Sequence, residues 1–118
     1  MFSSAPVHDV QRQQSHSLAS DGKLDLILLP GLDGAGLAFG PLLKVLPSFI
    51  RPIVVTYPKD RVMGYPELLP FVMGRLPDTP FVLLGESFSS PLAIMIAAAR
   101  PPGLQGLILS SAFARNPP

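Results

Sequence analysis

The chain has no cysteine, only two histidines and few charged side chains, 14% of the total. Without cysteine there is no disulfide framework, no thiolate zinc site and no cysteine nucleophile. Nine basic and eight acidic residues give a formal net charge of +1 and are scattered with no run of either sign. A phosphate-tracking stripe is therefore missing, and nucleic acid is not an expected partner. No apolar run approaches the ~20 residues needed to cross a bilayer, and the start lacks the apolar centre of a secretory signal, so a soluble, cytoplasmic protein is expected. Nothing resembles a metal-ligand cluster, and neither a metal nor another cofactor is expected. After Ser87 the chain has no aspartate, no glutamate and no histidine.

What is present is apolar. Hydrophobic residues make up 47% of the chain, and the mean hydropathy is +0.39. At 118 residues this is at most one small domain, which should bury roughly two-thirds of its unfolded surface. So greasy a sequence suits the inside of something larger.

The informative stretch runs from Phe81 to Pro91, FVLLGESFSSP. Val82 to Leu84 read as a buried strand, and Pro91 to Arg100 read as a helix that starts at once. A serine placed between them needs small residues two positions before and after it, and Gly85 and Ser89 supply these. Such a turn lifts the Ser87 hydroxyl above the sheet, sets the Phe88 N–H beside it and aims a helix N-terminus at developing negative charge. The alternative for so common a string is an ordinary strand-helix junction.

Upstream, Asp21-Gly22 forms a turn, and Leu24 to Leu29 is an apolar run, broken only by Asp25, that fits a buried parallel strand. It ends in Pro30-Gly-Leu-Asp-Gly-Ala-Gly36, where three glycines in six residues let the backbone bend with its N–H groups on one side. The spacing Gly-x-x-Gly-x-Gly differs from the dinucleotide pattern and no Gly-Lys-Ser/Thr follows, which speaks against a phosphate cradle. Asp33 reads as a turn-former bonding its own loop.

The rest is scaffold. Phe39, Leu42, Leu43 and Leu46 mark a short amphipathic helix with Pro41 near its start and Pro47 just past its end, its apolar face in the core. Ile53 to Tyr57 is the second strand, stopped by Pro58, with Tyr57 read as packing. Leu68, Leu69, Val72 and Leu76 place a helix over Tyr65 to Leu76, with Pro66 and Pro70 crowding its first turns. The helix after Ser87 is apolar nearly all round and should be buried on several sides. Leu107 to Ser110 is a fourth strand. Residues 1–20 are a Ser- and Gln-rich flexible arm carrying His8 and His16; as a mobile arm it could not hold either histidine as a general base. The alternation of strands and helices predicts an α/β domain with a parallel sheet of about four strands and crossover helices.

The two glycine-lined bends resemble those of the α/β-hydrolase family. Gly85-Glu-Ser87-Phe-Ser89 is similar to its G-x-S-x-G nucleophile elbow, with Ser89 where the last glycine stands. Pro30-Gly-Leu-Asp-Gly34 resembles the loop that follows the first of these strands, and the resemblance covers about Leu24 to Ala114. It implies that residues 21–118 are the N-terminal half of such a domain. The first and third strands would lie side by side, the second outside one and the fourth outside the other. It further implies Ser87 as nucleophile, with the backbone N–H groups of Leu32 and Phe88 as oxyanion hole, acting on a carboxylic ester or related small-molecule acyl substrate. Glu86 should point away from Ser87 and be structural. In that family an Asp or Glu and then a His follow the serine; both are missing here. The expectation is a fragment or a truncated product, inactive or weak by itself and poorly soluble, with an uncovered sheet edge open to self-association. The competing expectation is a non-enzymatic interaction module that uses that edge.

Overall fold

The computed structural model describes residues 21–110, and the expected arm 1–20 with His8 and His16 lies outside them. Four strands form one sheet, β1 (Leu24–Leu29), β2 (Ile50–Val54), β3 (Phe81–Glu86) and β4 (Leu104–Ser110). They are all parallel, in the order β2-β1-β3-β4. The helices are α1 (Gly40–Leu43), α2 (Tyr65–Met73) and α3 (Ser90–Ala98), with 3₁₀ turns at Leu37–Phe39 and Ser87–Ser89. This is the α/β class the alternation predicts, with the expected strand order. Parallel neighbours need crossovers, so the chain winds outward from β1 in one direction and from β3 in the other.

Alternation along β1 divides the core. Ile27 and Leu29 face α2 and α3, meeting Leu68, Val72, Phe81, Leu83, Leu92 and Ile96 in the larger cluster. Leu26 and Leu28 face the other way, onto Phe39 and Leu84. That second face is thin, because the expected helix over Phe39 to Leu46 is only one turn long. Phe39 alone of its apolar residues is buried, and Leu43 is exposed.

Three further expectations are corrected. β2 begins at Ile50 rather than Ile53 and ends at Val54, with Tyr57 beyond it. It is an edge strand bonded only to β1, so Pro52 has no ladder bond to lose on its outer side. α2 stops at Met73, short of Leu76. α3 is not covered on several sides: Leu92, Ala93 and Ile96 are buried, while Ile94 and Met95 are exposed. The sheet occupies one face of α3 and nothing among the described residues covers the opposite one.

At the amino ends of the strands, Asp25 is buried and accepts from Arg51 Nε at 2.6 Å, while Arg51 Nη1 reaches Asp21 at 2.7 Å. This pair ties β2 to β1 at the pole opposite the special loops. Those loops leave the carboxyl ends of β1 and β3, which run side by side with Leu29 opposite Gly85.

Candidate functional site

β3 is extended to Glu86 (φ −108°, ψ 124°), Ser87 takes a left-handed conformation at φ 51°, and the helix follows from Ser89 onward. A left-handed non-glycine residue is uncommon and stores backbone strain. The strain reverses the chain within one residue. Gly85 is obligatory to the same bend: a Cβ there would stand 2.7 Å from Ala93 Cβ and 2.8 Å from Ser89 O. The small-residue requirement read from the sequence is thus a contact between the strand and the helix that returns over it.

Phe88 is fixed at two points. Its ring stacks on Tyr65 with centroids 5.1 Å apart and planes 23° apart, and its carbonyl accepts the Tyr65 hydroxyl at 2.6 Å. Burial raises the Tyr65 phenol above its ordinary value, so it remains a donor. The Phe88 N–H lies in the first turn of the 3₁₀ segment, where the helix offers no acceptor.

The Pro30–Gly36 bend closes as a β-turn, with the Gly34 N–H donating to the Gly31 carbonyl at 2.9 Å. Because the peptide is planar and trans, a Gly31 carbonyl turned inward forces the Leu32 N–H outward. That N–H has no acceptor among the described residues. Gly36 completes the bend at φ 79°, with Val54 and Phe39 packed where a side chain would go.

Asp33 forms the turn the sequence suggests. Its carboxylate accepts from Leu37 N at 2.9 Å and from Ala35 N and Gly36 N, each at 3.1 Å. The Leu37 amide foremost, then those of Ala35 and Gly36, hold its carboxyl below its ordinary value of 3.8. A lowered folded value means that the stabilisation is full above 3.8 and is lost as pH falls through the folded value. The Leu37 amide resonance should therefore titrate with a midpoint below 3.8, and that step should be absent in Asp33→Ala. A midpoint at or above the ordinary value would contradict this arrangement.

Leu32 and Phe88 come together as two walls of one cleft of about 410 Å³, shared with Gly31, Asp33, Gly34, Tyr57, Lys59, Arg61, Met63 and Leu68. Ser87 is half-buried beside this wall and is not part of the lining. Glu86 has its carboxylate packed against Gly31 and faces a second cleft, with Ala38, Phe39, Leu42, Leu84, Ile108 and Ser110.

Two polar contacts escaped the sequence reading. Tyr57 packs in the core as read, edge-on to Phe71, and in addition its hydroxyl lies 2.5 Å from Ser89 Oγ. Ser89, read as merely small, also bonds the Pro30 carbonyl. A tyrosine at a strand end and a hydroxyl at the glycine position were the available signals. Among the described residues no group of three or more His, Cys, Asp or Glu side chains could hold a metal ion, and no helix is long and apolar enough to cross a membrane. In comparison with known proteins, the chain matches no protein-family model and no curated protein.

Proposed function

We propose that this chain carries the nucleophile half of a serine hydrolase of the α/β-hydrolase type, acting on a carboxylic ester or related acyl substrate. The observation that carries the reading is Ser87 at φ 51°, on a one-residue reversal between β3 and a helix. That reversal stands beside a glycine-lined bend at the carboxyl ends of adjacent strands. Ligands of open parallel sheets bind at such a switch in winding direction. Leu32 and Phe88, whose amides have no acceptor among the described residues, line one cleft there.

In this reading Ser87 Oγ attacks the acyl carbonyl. The carbonyl oxygen takes the negative charge between the Leu32 and Phe88 N–H groups, the leaving group departs with a proton, and water then releases the acyl group from Ser87. A serine hydroxyl needs a base to take its proton, and residues 88–118 contain no His, Asp or Glu. The chain by itself is therefore expected to be inactive or weak, with at most what an oxyanion hole supports alone. No metal or organic cofactor enters this chemistry.

A fluorophosphonate probe tests the reading. Labelling should be slow but specific and should vanish in Ser87→Ala; a folded sample that takes no label would contradict it. That second result would favour the other reading, an interaction module. Its support is β4, an edge strand with Leu107, Ile108 and Leu109 between 36% and 47% exposed, an arrangement open to pairing with another copy.

A further inference from the structure

Tyr57 and Ser89 have no step in the proposed chemistry, yet they join the two bends. A serine hydroxyl carries one proton. The Pro30 carbonyl can only accept, so the Ser89 proton goes there, and Ser89 Oγ in turn accepts from the Tyr57 hydroxyl at 2.5 Å. The relay has one direction, from the Tyr57 O–H to the Ser89 O–H to the Pro30 carbonyl. Burial pushes the Tyr57 phenol up to about 12, so the first donor keeps its proton across the ordinary pH range. Tyr57 grips the same bend a second time, its backbone N–H donating to the Gly34 carbonyl at 2.9 Å.

The two grips fall on either side of Leu32. Pro30 is held through Ser89 and Gly34 through the Tyr57 backbone, while the Gly31 carbonyl between them is taken by the Gly34 N–H. The Gly31–Leu32 peptide plane is thereby clamped from both ends, and the direction of the Leu32 N–H follows from that plane. Ser89 also begins the segment that returns from Ser87, so one hydroxyl sets the distance between the bend and the elbow. The serine at the position where the resembled pattern has glycine is buried and fully engaged.

We infer that Tyr57 and Ser89 are positioning residues that aim the Leu32 amide at the carbonyl oxygen of the substrate. The inference rests on the hydrolase reading and adds residues that act through Leu32. Ser89→Gly, which restores the common elbow pattern, should accordingly harm the site.

The test compares Ser89→Ala, Ser89→Gly and Tyr57→Phe with the unaltered chain, using an alkyl fluorophosphonate and separating its binding constant from its bond-forming rate constant. The rate constant should fall about 10- to 100-fold in both Ser89 variants, approaching the loss of one oxyanion donor. The fall should be smaller in Tyr57→Phe, where Ser89 still holds Pro30, and the binding constant should change less than about twofold. Amide exchange supplies a readout independent of labelling. In the Ser89 variants the Gly34 N–H should exchange about tenfold faster or more, with the β1 and β3 amides unchanged. Unaltered rate constants in Ser89 variants of a labelled protein would overturn the inference while leaving the hydrolase reading standing. Exchange that is unchanged at Gly34, or accelerated equally through β1, β3 and the bend, would overturn it too and mark the pair as packing alone. Should the unaltered chain take no label, the hydrolase reading fails and the exchange pattern alone decides whether the pair holds the bend.

Discussion

Ser87→Gly should lose fluorophosphonate labelling completely and yet yield a more stable protein. At φ 51° Ser87 occupies backbone space that disfavours any side chain with a Cβ. The left-handed conformation costs an L-residue roughly 1–2 kcal/mol. Glycine removes that cost and gives back about 0.5–1 kcal/mol in unfolded-chain entropy. The expected net gain is about 0.5–1 kcal/mol, a rise of a few degrees in the thermal midpoint. Ser87→Ala makes the control, since alanine keeps the strain; its stability should stay within about 0.5 kcal/mol of the parent. A glycine variant less stable than the alanine variant would mean that the turn is not strained. The prediction separates this site from an ordinary strand-helix junction, where removing a half-buried serine has no reason to stabilise.

Gly85→Val should be among the most damaging single changes in the described residues. Carbon atoms pack comfortably at about 3.5–4.0 Å, whereas a Cβ at position 85 would lie 2.7 Å from Ala93 Cβ and 2.8 Å from the Ser89 carbonyl oxygen. One obstacle is a side chain of α3 and the other is backbone in the 3₁₀ turn that leads into it. The valine adds two methyl groups beyond that Cβ. Overpacking ordinarily costs about 1–3 kcal/mol, and here a loss of about 3 kcal/mol or more is expected, moving the urea midpoint down by more than about 1 M. Paired with Ala93→Gly, Gly85→Ala should recover only part of its own loss, because the Ser89 carbonyl stays in place. Full recovery would show that the helix can slide on the strand, and the rigid elbow argued above would not hold.

The parts of the fold that were legible are those whose residues carry their own signal. β1 is a six-residue stretch between turns, apolar but for Asp25, and its limits, Leu24 and Leu29, are those read from the sequence. β2 lies upstream of its expected limits because an edge strand takes them from pairing: Leu24 of β1 lies opposite Ile50, so a segment containing Pro52 is drawn into the sheet. For α1, apolar spacing over Phe39 to Leu46 suggested a longer helix than one turn. Too little of the second sheet face is covered there to hold more. In α3 the uniform apolar character signals burial on several sides, and only the side toward the sheet and α2 receives it, with Ile94 and Met95 left exposed.

The site divides the same way. Small residues around Ser87 and glycines after β1 have local causes, and both bends stand where those causes put them. Asp33 bonding its own loop was readable for the same reason. The Tyr57–Ser89–Pro30 relay was not, since its members come from three loops and no spacing rule links them. Tyr65 was missed as anything beyond a helix start because its partner, the Phe88 carbonyl, belongs to another element.

The central claim is geometric, that two amides from distant bends converge on one oxygen attached to Ser87. A crystal structure of the chain after reaction with a fluorophosphonate measures this directly. The account predicts a phosphorus bonded to Ser87 Oγ, with one phosphoryl oxygen within about 3.1 Å of both the Leu32 and the Phe88 nitrogens. An adduct on Ser87 whose phosphoryl oxygens turn away from both amides, or an adduct on another serine, would contradict it.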